Sequence, residues 1–338
     1  MSPYQIGEDE GERGNLKGTR WKVRDFLHIG LKGFPAQGMI SIDATYQCNL
    51  SCRHCYFRSQ GYKTELTLDQ WLSWFENRRS QGYPFLICGW LGGEPLLRRD
   101  LLEKGLAYFK SNVIFTNGTC ELGLWPDCTY VVSVPALREQ YAYITGAHAK
   151  TFDRVRAHVD RSDLRVFISF CITRLTLDLI PQVLKEWGKT AVQGVYFEFF
   201  TPRRGDDLRL WLDWKSRDHI ISQLLELKKT YGYFIANTYQ ELMLMKSENF
   251  RGIVDNCPFY RIGASFDPMG RRKLPCAVGP EADCSRCGCI LPAFAQILSK
   301  RHLMIRALYE GIRRRSGNRS REKTPSQWDS LLFWRAKS

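Results

Sequence analysis

From residue 38 onward, short apolar runs alternate with stretches of helical period. MISIDA precedes TLDQWLSWFENRRSQ, FLICGWLGG precedes LLRRDLLEKGLAYFKS, and NVIFTNG leads into a short turn. The series continues as CTYVVSVPA then TFDRVRAHVDRS, LRVFISFCIT then LDLIPQVLKEWGKT, and VQGVYFEFFTP then RDHIISQLLELKKTYG. The apolar runs read as strands and the periodic segments as helices. Six strand-then-helix units predict parallel strands joined by helical crossovers. The expected fold class is therefore α/β, a partial (β/α)6 TIM-like barrel, with its chemistry at the C-terminal ends of the strands.

Beyond about residue 250 the pattern changes to loop and hairpin with five cysteines, and then to a helix expected from about 293 to 315. Residues 1 to 18 are polar and Gly-rich, which predicts disorder. The following RWKVRDFLHIGLKGF suits a short amphipathic helix, packed on the domain or resting on a membrane surface. The expected organisation is a tail and amphipathic segment at 1–37, a core barrel at 38–245, a small Cys-rich C-terminal extension with its helix at 246–315, and a basic tail at 316–338.

Composition adds bounds. With 338 residues, 44% of them hydrophobic and 13% aromatic, the chain can bury a large core. Twelve unevenly spaced cysteines do not suit a disulfide scaffold, and the polar start lacks an apolar signal region, so a reduced, cytoplasmic setting is expected. No run of about 18 apolar residues predicts a membrane span. The net charge of +14, from 49 Lys and Arg against 35 Asp and Glu, favours an anionic partner such as nucleic acid, an acidic peptide, a phosphorylated substrate or lipid headgroups. Much of the excess lies in SKRHLMIRALYEGIRRRSGNRSREK, where a charge run ordinarily means a solvated helix face or a loose tail.

The chemistry concentrates in ATYQCNLSCRHCYF, just after the first strand. Cys48, Cys52 and Cys55 stand as C-x3-C-x2-C with no fourth cysteine nearby. A structural zinc site wants four ligands, commonly as two C-x2-C pairs. A four-iron cube held by three thiolates keeps one iron open to bind something else. After the second strand comes Gly92-Gly93-Glu94-Pro95, where two glycines allow close backbone approach to a ligand and a carboxylate can pair with an ammonium group.

This arrangement, C-x3-C-x2-C after the first strand of a partial barrel and GGEP after the second, resembles the radical S-adenosylmethionine (SAM) superfamily over roughly residues 38 to 200. The resemblance implies that Cys48, Cys52 and Cys55 hold a [4Fe-4S] cluster whose open iron chelates SAM, and that Gly92, Gly93 and Glu94 meet the SAM amino group. It places His54 where the family has an aromatic near adenine, and Thr116 and Asn117 of FTNG near the methionyl and ribose groups. Ser133 matches a Ser-x-Asp position, although Pro135 replaces the acidic residue and puts a ribose contact there in doubt. Ser169 and Arg174 are expected at the SAM carboxylate. Such an enzyme takes electrons from an external one-electron donor such as a flavodoxin or ferredoxin.

Cys257, Cys276, Cys284, Cys287 and Cys289 surround a hairpin turn read at Asp267-Pro268-Met269-Gly270. Alone they would suit zinc, and zinc with a basic chain would suggest nucleic-acid binding. After a radical SAM core they resemble a shortened SPASM or twitch extension, which implies one auxiliary [4Fe-4S] cluster on Cys257, Cys276, Cys284 and Cys287, with Cys289 competing for a place. That context argues against nucleic acid. Cys88, Cys120, Cys128 and Cys171 lie on or beside strands and are expected to pack as small hydrophobes. The function expected is reductive cleavage of SAM to a 5′-deoxyadenosyl radical that takes hydrogen from a substrate in peptide or natural-product maturation. The alternatives are a lipid or cofactor precursor as substrate, with peripheral membrane contact left open, and a non-catalytic iron–sulfur or zinc protein with an anionic partner.

Overall fold

The computed structural model describes residues 29, 32–125, 128–206, 208–300 and 302–303. The polar N-terminal tail, nearly all of the amphipathic segment, the far half of the expected C-terminal helix and the basic tail lie outside the described residues. The strands are β1 Met39–Asp43, β2 Ile87–Leu91, β3 Ser111–Thr116, β4 Cys128–Ser133, β5 Val166–Ile172, β6 Gly194–Phe199, β7 Gly263–Phe266 and β8 Arg272–Lys273. They form one sheet in the order β6-β5-β4-β3-β2-β1-β7-β8. Strands β1 to β6 pair in chain order and in parallel, as the six-unit reading requires.

The crossover helices are α1 Leu68–Ser80, α2 Arg99–Gly105, α3 Arg138–Thr145, α4 Thr151–Val159, α5 Ile180–Trp187 and α6 Trp214–Tyr231. Helix α1 starts where Thr67 and Gln70 exchange side-chain and backbone hydrogen bonds in a capping box. Its Trp71 and Phe75, one turn apart, are both sealed from solvent, and Phe75 meets Trp90 of β2 with ring centroids 6.2 Å apart. Each such ring contributes roughly 1.5–3 kcal/mol by leaving water. Helix α3 has no counterpart in the sequence reading. It spans eight residues, lacks a side-chain N-cap and stops at Gly146 with φ 67.

Strand register divides the sheet into two unlike faces. Parallel partners share a face, so the pairings put Ile42, Trp90, Ile114, Val132, Ile168 and Val195 together, and each is 0% exposed beneath the helices. The other parity gathers Ser41, Asp43, Ser133, Ser169, Cys171, Tyr196 and Glu198, of which Asp43 and Ser169 are buried and the rest half-buried or exposed. The apolar face is the core, and the polar one is the concave face of the partial barrel.

The Cys-rich segment expected as an extension supplies the last two strands of this same sheet. β7 pairs with β1 in parallel, Ser41 opposite Ser265, and β8 returns antiparallel on β7. The turn between them is the one read from the sequence. Gly270, at φ 70, donates its N–H to the Asp267 carbonyl at 2.9 Å. Three short helices, α7 Tyr239–Leu244, α8 Ser247–Asp255 and α9 Phe259–Ile262, lead into β7, and α10 Leu291–Ser299 follows the last cysteine. No helix among the described residues is long and apolar enough to cross a membrane.

Candidate active site

Three loops leave the C-terminal ends of β1, β2 and β3, and hydrogen bonds fasten them together. The Gly93 N–H donates to the Thr45 carbonyl at 2.9 Å and the Glu94 N–H to the Gln47 carbonyl at 2.8 Å, so the GGEP stretch is laced to the residues just before Cys48. Neither glycine has room for a side chain. A Cβ on Gly93 would lie 1.9 Å from the Gln47 oxygen, and one on Gly92, at φ 116, would lie 2.5 Å from the Thr45 oxygen.

Glu94 is 0% exposed and its carboxylate is committed to the chain. It accepts from Leu96 N at 3.0 Å, from Thr116 Oγ1 at 2.6 Å and from Asn117 N at 2.8 Å. It therefore ties the second loop to the third, and of the Gly92-Gly93-Glu94 stretch the half-buried glycines are what stands open to a ligand. Asn117 closes the triangle, donating from Nδ2 to Cys48 Sγ at 3.8 Å and to Asn49 Oδ1 at 2.9 Å.

Cys48, Cys52 and Cys55 are free and half-buried. Burial pushes the Cys48 thiol up, and it pushes Cys52 up to about 12 with help from the charges of Cys55 and Cys48 beside it. Three neighbouring thiols with only weak hydrogen bonds to sulfur make a donor set suited to iron–sulfur chemistry, in which the thiols lose their protons on binding. Among the described residues no three His, Cys, Asp or Glu side chains converge tightly enough to hold a single metal ion. His54 is half-buried, with Nδ1 enclosed and unpartnered, and desolvation holds its ring down at about 4.

Of the remaining sequence-derived positions, Ser133 and Ser169 are direct partners across β4 and β5 on the concave face. Arg174 is elsewhere. It is exposed beyond the end of β5 and donates from Nε to the Trp211 carbonyl at 2.7 Å, so it serves a surface loop and is not turned toward the three strand ends. Cys88 and Cys128 are buried as expected, whereas Cys171 is half-buried on the concave face beside Glu198.

Apart from Ser133 and Ser169, sequence reasoning passed over the polar lining of that face. Glu198 accepts from Ser169 Oγ at 3.1 Å, and desolvation raises its carboxyl. Lys273 Nζ meets Asp43 Oδ2 at 2.5 Å, both side chains sealed, and burial still lifts Asp43 to about 6 against the pull of the lysine. The signal was present as polar residues two apart, Ser41 and Asp43 or Ser169 and Cys171, inside otherwise apolar runs.

The second cysteine group forms around one hub. The charges of Cys276 and Cys284 act on Cys257, and those of Cys276 and Cys257 act on Cys287, while burial lifts Cys257 to about 11 and Cys287 to about 12. Cys289 also neighbours Cys287 and Cys276, but its strongest electrostatic neighbour is Glu198 of β6. The two cysteine groups share a seam. Gln60 donates to the Val278 carbonyl at 3.1 Å, and the phenol of Tyr56, raised chiefly by burial, feels the charges of Cys55 on one side and of Cys289 and Cys276 on the other.

Residues 42–195 match the radical SAM superfamily. Pre-heme d1 synthase of Dinoroseobacter shibae is 27% identical over 210 residues, 56% of this chain and 51% of that protein. Fe-coproporphyrin III synthase of Methanosarcina barkeri is 28% identical over 158 residues, 41% of this chain and 38% of that one. The chain thus spans about half the length, or less, of these curated relatives. SuiB of Streptococcus suis, solved bound to S-adenosylmethionine, shares the fold with a TM-score of 0.58 at 15% identity, covering 83% of this chain and 68% of SuiB. SuiB bound to its precursor peptide SuiA superposes with a TM-score of 0.56 at 12% identity, over 93% of this chain and 75% of that one. Radical SAM proteins use a [4Fe-4S] cluster and SAM. Residues 42–195, which hold all three laced loops, are thus the part of this chain that matches the radical SAM superfamily.

Proposed function

We propose that the chain reductively cleaves SAM at a [4Fe-4S] cluster held by Cys48, Cys52 and Cys55, and takes a hydrogen atom from a substrate lying on the concave face. The observation that carries this reading is the lacing of the Cys48 loop to Gly93, Glu94 and Asn117, which fixes a three-thiol donor set against an open glycine floor. When bound, the cluster and SAM supply one-electron cleavage of a sulfonium bond and a carbon radical able to take hydrogen. The chain does the positioning. Asn117 Nδ2 donates to the Cys48 sulfur and the Arg58 N–H to the Cys55 sulfur at 3.4 Å, bonds of the kind that tune a cluster's potential. Gly92 and Gly93 admit SAM close to backbone and His54 stands at its flank, Thr116 being buried beneath them and bonded to Glu94, while Ser133, Ser169 and Glu198 line the space beyond for substrate.

An auxiliary [4Fe-4S] cluster on Cys257, Cys276, Cys284 and Cys287 completes the reading, with Cys289 turned toward Glu198. We infer an anionic cofactor precursor as substrate. The two curated relatives are named for heme- or porphyrin-type products, and a net charge of +14 suits carboxylate-bearing molecules. A peptide is the second reading, favoured by the likeness to SuiB with its precursor peptide. A flavodoxin or ferredoxin would deliver the electron.

The test is anaerobic reconstitution. The protein should turn brown, bind about eight irons and release 5′-deoxyadenosine when given SAM and dithionite. Zinc without iron, or no SAM cleavage under strong reduction, would sink the proposal. Stimulation of that release by an iron porphyrin but not by peptides, or the reverse, decides between the two substrate readings.

A further inference from the structure

Arg217, in the first turn of α6, is 0% exposed. Its guanidinium lies over the rings of Trp214 at 4.3 Å and Phe199 at 4.7 Å, with Phe250 at 5.7 Å. One hydrogen bond serves it, from Nη1 to the Cys287 carbonyl at 2.7 Å, while Nε and Nη2 have no partner among the described residues. The adjacent Asp218 is engaged with the backbone and hydroxyl of Ser247. The aromatic faces soften the loss of water, but they cannot replace two missing acceptors or an anion. A guanidinium does not give up its proton inside a protein, so the group stays cationic at neutral pH.

A buried, half-satisfied cation is costly enough that proteins rarely keep one without a counter-charge. The chemistry around Arg217 supplies the place for it. The Cys287 thiol is its strongest electrostatic neighbour, and Cys257 and Cys276 stand next to Cys287. Four thiolates around a [4Fe-4S] core carry a net negative charge that grows by one on reduction, and buried cations near such a core raise its potential.

We propose that Arg217 is the fixed counter-cation of the C-terminal iron–sulfur cluster, its unpaired guanidinium edge satisfied only when that cluster is in place. The inference rests on the reading that Cys257, Cys276, Cys284 and Cys287 hold a cluster. Arg217 is then a positioning residue with two opposite effects. It burdens the unloaded protein, and in the loaded protein it favours the reduced state.

The experiment compares Arg217→Met, which keeps the packing volume and removes the charge, with Arg217→Lys, which keeps the charge. In the iron-free chain Arg217→Met should raise the Tm, and in the reconstituted chain it should lower it. An EPR-monitored redox titration should show the auxiliary cluster harder to reduce by at least tenfold in equilibrium, about 59 mV for one electron. Arg217→Lys should recover most of that shift. Arg217→Met losing stability equally in both forms, or leaving the potential where it was, overturns the proposal. Where Arg217→Met fails to retain the cluster, the iron-free Tm decides, a rise supporting the proposal and a fall refuting it. An unaltered chain that binds only about four irons, none lost on substituting Cys276, refutes the auxiliary cluster itself, an outcome distinct from an unmoved potential.

Discussion

Gly93→Ala tests the lacing of the cysteine loop most directly, because φ at this position is ordinary and only space is at stake. The added Cβ would sit 1.9 Å from the Gln47 carbonyl oxygen and 3.1 Å from the Cys48 nitrogen. The carbonyl must retreat by at least about 1 Å to reach an ordinary contact. That movement abandons the 2.8 Å bond from the Glu94 N–H, a net loss of about 1 kcal/mol, and overpacks backbone, at about 1–3 kcal/mol. The expected destabilisation is therefore about 2–4 kcal/mol, read by urea denaturation of the iron-free protein, and small enough against a typical stability of about 5–15 kcal/mol for folding to survive. Cys48 moves with the carbonyl, so the reconstituted variant should lose about half of its iron and nearly all SAM cleavage. Gly82→Ala is the control. Its φ of 76 strains any side chain, but nothing lies within 4 Å, so it should cost about 1 kcal/mol and leave the iron intact. Equal midpoints and equal iron for the two variants would refute the reasoning.

Cys52→Ala should abolish 5′-deoxyadenosine release while keeping roughly half of the iron, and unchanged turnover would assign the chemistry to the other cysteine group. Lys273→Met leaves Asp43 sealed without its cation and should cost about 3–5 kcal/mol, most of it recovered by adding Asp43→Asn; no recovery in the double variant would show that the lysine acts by packing. Because burial raises the folded pKa of Asp43 from 3.8 to about 6, its contribution to stability is present below pH 4 and is lost as pH rises through 6. Denaturation midpoints of Lys273→Met should fall further over that range and beyond it than those of the unaltered chain, a difference absent in the double variant. Thr116→Val removes the 2.6 Å bond to Glu94 and should cost about 1–3 kcal/mol in thermal or chemical denaturation, without changing the iron content.

The six parallel strands were legible because each is an apolar run, followed by a helical period in every case but β3, which leads into a turn, and β1 and α1 fall within two residues of where the pattern puts them. The three strand-end loops were legible through Cys48, Gly93 and Asn117, residue types that local chemistry singles out. Glu94 and Arg174 show the limit. Sequence identifies a carboxylate or a guanidinium able to bind a ligand, but which way it turns depends on neighbours distant in the chain, Thr116 and Asn117 for the one and Trp211 for the other. Asp43 with Lys273, 230 residues apart, and the pairing of β7 with β1 are products of sheet closure that no local pattern encodes. Arg217 was hidden for a related reason, since an arginine at a helix start is ordinarily solvated and only packing against Cys287 makes it exceptional.

The placement of β7 beside β1 also sets an order of manufacture. A ribosome delivers β1 and the Cys48 loop early, yet the strand that covers the free edge of β1 and the lysine that neutralises Asp43 emerge more than 200 residues later. Until residue 273 has been synthesised, the nascent barrel carries an open edge and an uncompensated acid beside its cysteines. On the proposed reading, loading of iron at the first loop would then wait for the finished polypeptide, and chains truncated ahead of β7 should be collected as aggregates without iron.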